Sequence, residues 1–180
     1  MSSDRLTPFS YVILTLVGSR GASPHDLRRN AETGRMHWDA APSQWYAEPK
    51  RLAKMGYLDA EKRPGRTRQR THYTLTEKAR AALEEWVRTP VALPRIQNEP
   101  IVRLLAADLV PADAALEGLA GLRSEVEELL ERSREQRERW PGTLPHREHL
   151  LSVNEDFAEG ILRLTLEWLE EAEKTLRAQK

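Results

Sequence analysis

Cysteine is absent from the 180-residue chain. A disulfide framework, a thiol nucleophile and a cysteine-ligated zinc are therefore excluded. No run of about 18 uncharged apolar residues exists, so no membrane span is expected. The first residues, Met1-Ser2-Ser3-Asp4-Arg5, lead into no apolar stretch with a small-residue cleavage site, and a cytoplasmic location is the expectation. Also missing are a glycine-rich phosphate loop, a nucleophile elbow and a paired-carboxylate motif, so catalysis is not expected. What remains is 39% apolar and 31% charged, a soluble globular composition with enough length for one or two domains.

Net charge is zero, but the average conceals a split. Residues 1–89 hold 16 Lys/Arg against 10 Asp/Glu, a balance of +6, and residues 90–180 hold 12 against 18, a balance of −6. The excess peaks between Lys50 and Arg70, with eight basic residues and only two acids, Asp59 and Glu61. Such asymmetry suggests that one half meets a polyanion and the other has a separate task.

Periodicity divides the first half into helix, helix, helix, hairpin, helix. Pro8 opens a helix with Phe9, Val12, Ile13, Leu16 and Val17 at helical spacing, closed by Gly18 and Gly21. Ser23-Pro24 caps a second, with Leu27 and Ala31 inward. Trp38 is expected as a core filler in the following loop. Pro42-Ser43 begins a third helix, with Trp45, Leu52 and Met55 inward and Gly56 at its end. Tyr57 to Arg63 and Arg70 to Leu75 alternate in character around Pro64-Gly65, which predicts a β-hairpin with a basic tip. Thr76 caps a fourth helix carrying Ala79, Leu83, Trp86 and Val87.

This order predicts a mainly α protein with a small β-hairpin wing: a winged helix-turn-helix domain at 1–89 and a helical dimerisation domain at 90–180. The boundary is marked by Pro90, Pro94 and Pro100. A short apolar helix is expected at 101–109, then a long one with a seam of Leu116, Leu119, Leu122, Val126, Leu129 and Leu130, ending near Trp140. A last helix repeats Leu150, Val153, Phe157, Ile161, Leu164 and Trp168. Neither seam can be buried alone, so the helices must pack on each other, on a second copy, or both. Leu119, Leu122, Val126, Leu129, Phe157, Ile161, Leu164 and Trp168 are the expected dimerisation residues. The alternating Glu and Arg residues of 125–138 read as a solvated helix face. His146 and His149 flank Glu148, but no third ligand is identifiable, and neither a metal nor a cofactor is expected.

In a helix-turn-helix the second helix of the pair presents its early residues to base edges. Here those are Ser43, Gln44 and Tyr46, and glutamine can pair bidentately with adenine. Lys50, Arg51 and Lys54 suit phosphates, and Arg63, Arg66, Arg68 and Arg70 suit a flanking backbone or minor groove. Double-stranded operator DNA is thus the expected partner.

Residues 43–52, Ser-Gln-Trp-Tyr-Ala-Glu-Pro-Lys-Arg-Leu, with Met55-Gly56-Tyr57-Leu58 and His72-Tyr73-Thr74-Leu75-Thr76-Glu77, resemble the PadR transcriptional regulators. That family shows Ser-x-x-Tyr-x-x-Leu-x-Arg-Leu in its recognition helix and Tyr-x-Leu-Thr-Glu after its wing. Asn98-Glu99-Pro100-Ile101 and Leu166-Glu167-Trp168-Leu169 are similar to its larger subfamily, with a virulence-activator-like helical tail. The resemblance implies a DNA-binding homodimer, usually a repressor, that sometimes answers to a small molecule. Two departures are Pro49 in place of leucine, expected to kink the recognition helix, and Ala79 in place of glycine. Trp86, Trp140 and Trp168 are candidates for lining a pocket for a small apolar effector between the domains. The competing expectation is a protein-interaction adaptor that has kept the winged scaffold without DNA binding.

Overall fold

The computed structural model describes residues 5–33, 38, 40–64, 69–94, 96–139 and 146–178. Of the expectations above, those on Gly65, Arg66, Arg68 and Trp140 lie outside the described residues, as does the side chain of Ala31. The chain forms two compact units, Met1–Leu93 and Pro94–Lys180. Among the described residues no helix is long and apolar enough to cross a membrane.

The first unit holds α1 (Pro8–Val17), α2 (Pro24–Thr33), α3 (Gln44–Lys54), β1 (Leu58–Arg63), β2 (Arg70–Leu75) and α4 (Glu77–Val87). Side-chain caps set its helix starts. Thr7 and Ser10 form a reciprocal capping box at α1, with Pro8 in the first turn. At α2 the Ser23 hydroxyl accepts from Asp26 N–H, and the Asp26 carboxylate accepts from Ser23 N–H and Oγ. Partial burial opposes the Asp26 charge, yet the Ser23 bonds and Arg29 hold the carboxyl below its ordinary range. Thr76 accepts from Ala79 N–H at α4 and donates to Gly56 O at the end of α3, tying two elements with one side chain.

β1 and β2 pair antiparallel, Leu58 opposite Leu75 and Arg63 opposite Arg70. Their inward residues Leu58 and Tyr73 join Ile13, Leu14, Val17, Leu27, Trp45 and Leu52 in one core. Trp38, expected in that core, is instead half-exposed and stacks on Phe9 at 6.4 Å between ring centroids. Phe9 uses its edge against the buried Trp45, at 5.0 Å, which leaves Trp38 an outer layer.

Ala22 adds a third short partner to the sheet, exchanging both backbone hydrogen bonds with Tyr73. Gly21 makes this approach possible. Its φ is +75°, and a Cβ there would lie 2.6 Å from the Tyr73 carbonyl oxygen and would collide with His72 Nε2.

The second unit contains α5 (Glu99–Leu105), a 3-10 turn (Ala106–Asp108), α6 (Ala112–Arg139) and α7 (Glu148–Ala178). The expected helix at 101–109 begins earlier, because Asn98 accepts from Ile101 N–H and caps it, and it tightens into the 3-10 turn before Leu109. α6 and α7 run antiparallel. Leu119 packs near Leu169, Ala172 and Leu176, and Val126 and Leu130 pack near Leu162. The helical face of 125–138 is not wholly solvated. Ser133 Oγ bonds to the carboxylates of Glu155 and Glu159, and Arg137 donates to Asp156 at 2.6 Å.

Gly21→Ala is expected to lower stability by about 1–3 kcal/mol, through left-handed strain and the clash with Tyr73. Urea unfolding measures it; a midpoint equal to wild type would show that the Ala22–Tyr73 bridge is dispensable.

Candidate nucleic-acid interface

α3 has two faces separated by helical periodicity. Trp45, Pro49 and Leu52 are buried, while Tyr46, Lys50 and Lys54 point away from the core and are exposed. The helix is continuous through Pro49, whose ring is buried. Pro49 has no N–H to offer the Trp45 carbonyl, so the helix loses one rung of its ladder there. The surrounding contacts replace what is lost.

The main one is an ion pair with a hydroxyl in it. Arg51 donates from Nε to Glu48 Oε2 at 2.9 Å and from Nη2 to Glu48 Oε1 at 2.7 Å. The Ser10 hydroxyl, fully buried on α1, donates to Glu48 Oε1 at 2.7 Å and accepts from Arg51 Nη2 at 2.9 Å. Arg51 Nη1 also reaches the Arg5 carbonyl, at 3.3 Å. Partial burial penalises the Glu48 charge, but the bonds from Arg51 and Ser10 outweigh it and hold its carboxyl below the ordinary range. Arg51, expected on a phosphate, therefore fastens α3 to α1. Glu48 is not among the residues expected from the sequence, although its Glu-x-x-Arg spacing is that of an i,i+3 pair. Ser10, 38 residues from Glu48, could not be paired from sequence.

The end of α3 is closed by backbone. Gly56, at φ +75°, donates to Ala53 O and Tyr57 donates to Leu52 O, a Schellman arrangement that turns the chain into β1. Lys78 Nζ donates to Met55 O at 2.7 Å and lies 4.3 Å from the Tyr57 ring centroid, placing a cation at the negative end of the helix.

At the other end, Ser43 is exposed and its hydroxyl makes no capping bond. Gln44 is exposed, but its side-chain carbonyl accepts from Ala41 N–H at 3.1 Å. Bidentate pairing with adenine needs both the oxygen and the amide of Gln44, so this bond must open first. On the hairpin, Lys62 donates to Thr71 across the strands at 2.9 Å and Arg63 pairs with Glu61 at 2.7 Å. Lys62, Arg63 and Arg70 are all exposed. The structure thus gathers Tyr46, Lys50 and Lys54 on one helix face and Lys62, Arg63 and Arg70 on the hairpin, and it withdraws Arg51.

The remaining expected residues are distributed between the units. Trp86 stacks on Tyr11 within the first unit, ring centroids 4.7 Å apart and planes 6° from parallel. Trp168 packs with Leu169 and Leu176 in the second. Leu119 and Val126 are buried between α6 and α7 of the same chain, with Leu122 and Leu129 partly buried beside them, so the expected dimer seam on α6 is consumed internally. On α7 the matching face is Leu162, Leu166, Leu169 and Leu176. Phe157 and Leu164, each 64% exposed, together with Leu150, Val153 and Ile161, form a second stripe that the chain leaves open.

Removing the Glu48 charge is expected to cost about 2–3 kcal/mol, toward the low end for breaking a buried pair, since Arg51 stays 28% exposed against 13% for Glu48. Because the folded-state carboxyl sits below its ordinary value of 4.5, this contribution is complete above that pH and is lost as pH falls through the folded value. Thermal melts from pH 7 to 3 should show Glu48→Gln less stable at neutral pH and converging on wild type in acid. Parallel curves would refute the assignment.

No protein-family model matches the chain, and no curated protein matches it. Solved structures do. The Vibrio cholerae virulence activator AphA is 23% identical, with a TM-score of 0.76 over 95% of this chain and 99% of that one. Bacillus subtilis PadR in complex with operator DNA is 20% identical, with a TM-score of 0.79 over 94% and 99%. The same PadR in complex with p-coumaric acid gives a TM-score of 0.72 at 19% identity, over 96% and 99%. The PadR-like transcriptional regulator BC1756 from Bacillus cereus is 16% identical, with a TM-score of 0.81 over 98% and 99%. Identities this low speak for architecture, and over nearly its whole length this chain has the PadR-like fold: a winged helix followed by a unit of long helices.

Proposed function

We propose that the protein is a DNA-binding transcriptional regulator of the cytoplasm, acting as a homodimer on a two-fold operator, usually to repress. The observation that carries this reading is the outward face of α3 and its hairpin, where Tyr46, Lys50, Lys54, Lys62, Arg63 and Arg70 are exposed beside each other in sequence and fold. A protein of the same fold is known on operator DNA. Ser43, Gln44 and Tyr46 would address base edges, and Lys50 and Lys54 the phosphates. Arg63, Arg66, Arg68 and Arg70 would follow a flanking backbone or minor groove. Arg51 would act indirectly, by holding α3 in place. The PadR complex with p-coumaric acid supports a response to a small ligand as well.

The dimer would form through α7. Leu150, Val153, Phe157, Ile161 and Leu164 recur at steps of three and four on one exposed face. A second copy related by a two-fold axis presents the same stripe, so the face can bury itself. Two recognition helices then meet half-sites about one helical turn apart.

Binding isotherms over a range of salt, on a fragment selected from random DNA, test the DNA reading. Lys50→Ala and Lys54→Ala should each remove about one unit of salt slope. Gln44→Ala should leave the slope unchanged and, if it reads a base, cost about 1–3 kcal/mol at one position per half-site. No retardation of any fragment at low salt would favour the adaptor.

Light scattering of Phe157→Glu/Leu164→Glu should report a monomer with the wild-type circular dichroism, since both positions are exposed. Val126→Asp, in the core of the helical pair, should unfold that unit instead. A double mutant that stays dimeric would place the interface elsewhere.

A further inference from the structure

The corner that leads from α3 into the hairpin is held by donors from the far end of that hairpin. Three successive carbonyls, those of Met55, Gly56 and Tyr57, accept from two residues at the junction of β2 and α4. Thr76 Oγ1 faces Gly56 O at 2.8 Å and Tyr57 O at 3.1 Å, and Thr76 N–H donates to Tyr57 O at 3.2 Å. Lys78 Nζ donates to Met55 O at 2.7 Å and lies 4.3 Å from the centroid of the Tyr57 ring. Thr76 has one hydroxyl proton for two carbonyls, whereas the Lys78 ammonium brings three donors and a charge.

Lys78 is misplaced for its own helix. It stands in the first turn of α4, the positive end, where a cation is disfavoured and where Glu77 is the favourable charge. What its ammonium answers is the negative end of α3, and the face of Tyr57 steers it there. We infer that Lys78 is a positioning residue, which fixes the angle between the recognition helix and the hairpin. That angle aligns the bases α3 reads with the groove the hairpin follows. Its consequence for DNA rests on the proposed function, whereas the clamp stands on contacts within the first unit. A lysine on a phosphate supplies affinity for every sequence; a lysine that sets an angle supplies selectivity.

The test uses the full chain carrying Lys78→Met, an exposed position, which keeps the unbranched stem and loses the donor. Without DNA, amide hydrogen exchange at Gly56 and Tyr57, whose N–H groups close α3, should quicken several-fold. Lys78→Arg should restore the wild-type rate, because a guanidinium can both donate and stack. Affinity for a fragment selected from random DNA should fall about tenfold, the size of one misread base pair, at the salt slope of wild type. Preference for that fragment over a random one should fall with it, and Lys78→Arg should recover both. Tyr57→Leu should act in the same direction, and combining it with Lys78→Met should cost less than the sum of the two. A slope lower by about one unit would make Lys78 a phosphate contact and overturn the positioning role. Wild-type exchange at Gly56 and Tyr57 in Lys78→Met would overturn the clamp. Quickened exchange with an undiminished preference for the selected fragment would overturn its bearing on what α3 reads. If no fragment is retarded, the proposed function falls, and exchange alone decides the clamp.

Discussion

The Ser10–Glu48–Arg51 cluster sets the orientation of α3, and the surface the protein shows to a polyanion depends on that orientation. Trp45, Glu48, Pro49 and Leu52 lie along one side of the helix, and turning that side toward α1 directs Tyr46, Lys50 and Lys54 the other way. A helix with proline in its middle is poorly stabilised by its own ladder, so its geometry must come from what it packs against. The guanidinium makes two parallel bonds to the carboxylate, which constrains direction as well as distance. The Arg51 guanidinium is thereby engaged within the fold, and the neighbouring lysines gain a defined direction.

Much of the winged unit was legible because its signals are local. Thr7, Ser23 and Thr76 cap the helices they precede in the sequence, and Gly56 takes the left-handed φ that ends α3. The alternation from Tyr57 onward corresponds to a paired hairpin, in which Leu58 lies opposite Leu75. The candidate site was less legible because side-chain commitments are made at a distance. Nothing near Arg51 in sequence announces Ser10, and nothing in the composition of the 42–46 turn announces that Gln44 folds back on Ala41. A basic or amide side chain on the right helix face is a candidate for contact only while its hydrogen-bonding groups are not already engaged.

The helical unit shows a different limit. Apolar residues every three or four positions on α7 suggest one seam, whereas the helix carries two. Phe157 and Ile161 are offset by about 100° from Ala158 and Leu162, since one residue advances a helix by that angle. A sequence period reports that a stripe exists and is silent on which stripe the chain itself will cover. α6 resolves the choice. Its small residue Ala115 packs in the cluster of Leu119 and Leu169, and its polar residues Ser133 and Arg137 find acceptors on α7 in the register that buries Leu162 and Leu169.

Charge completes the division of labour. Residues 90–180 carry a balance of −6, and several of their acids pair with arginines on the same helix, as in Arg132 with Glu128 and Arg103 with Glu99. Such exposed pairs add little stability, about 0.3–0.5 kcal/mol each. Their larger effect is on the field. A helical surface of interspersed charges with a net negative excess offers nothing to a phosphate backbone, whereas the stretch from Lys50 to Arg70 holds eight basic residues against two acids. The basic excess of the chain is thus densest on one helix and one hairpin, where it sets the sign of the local field.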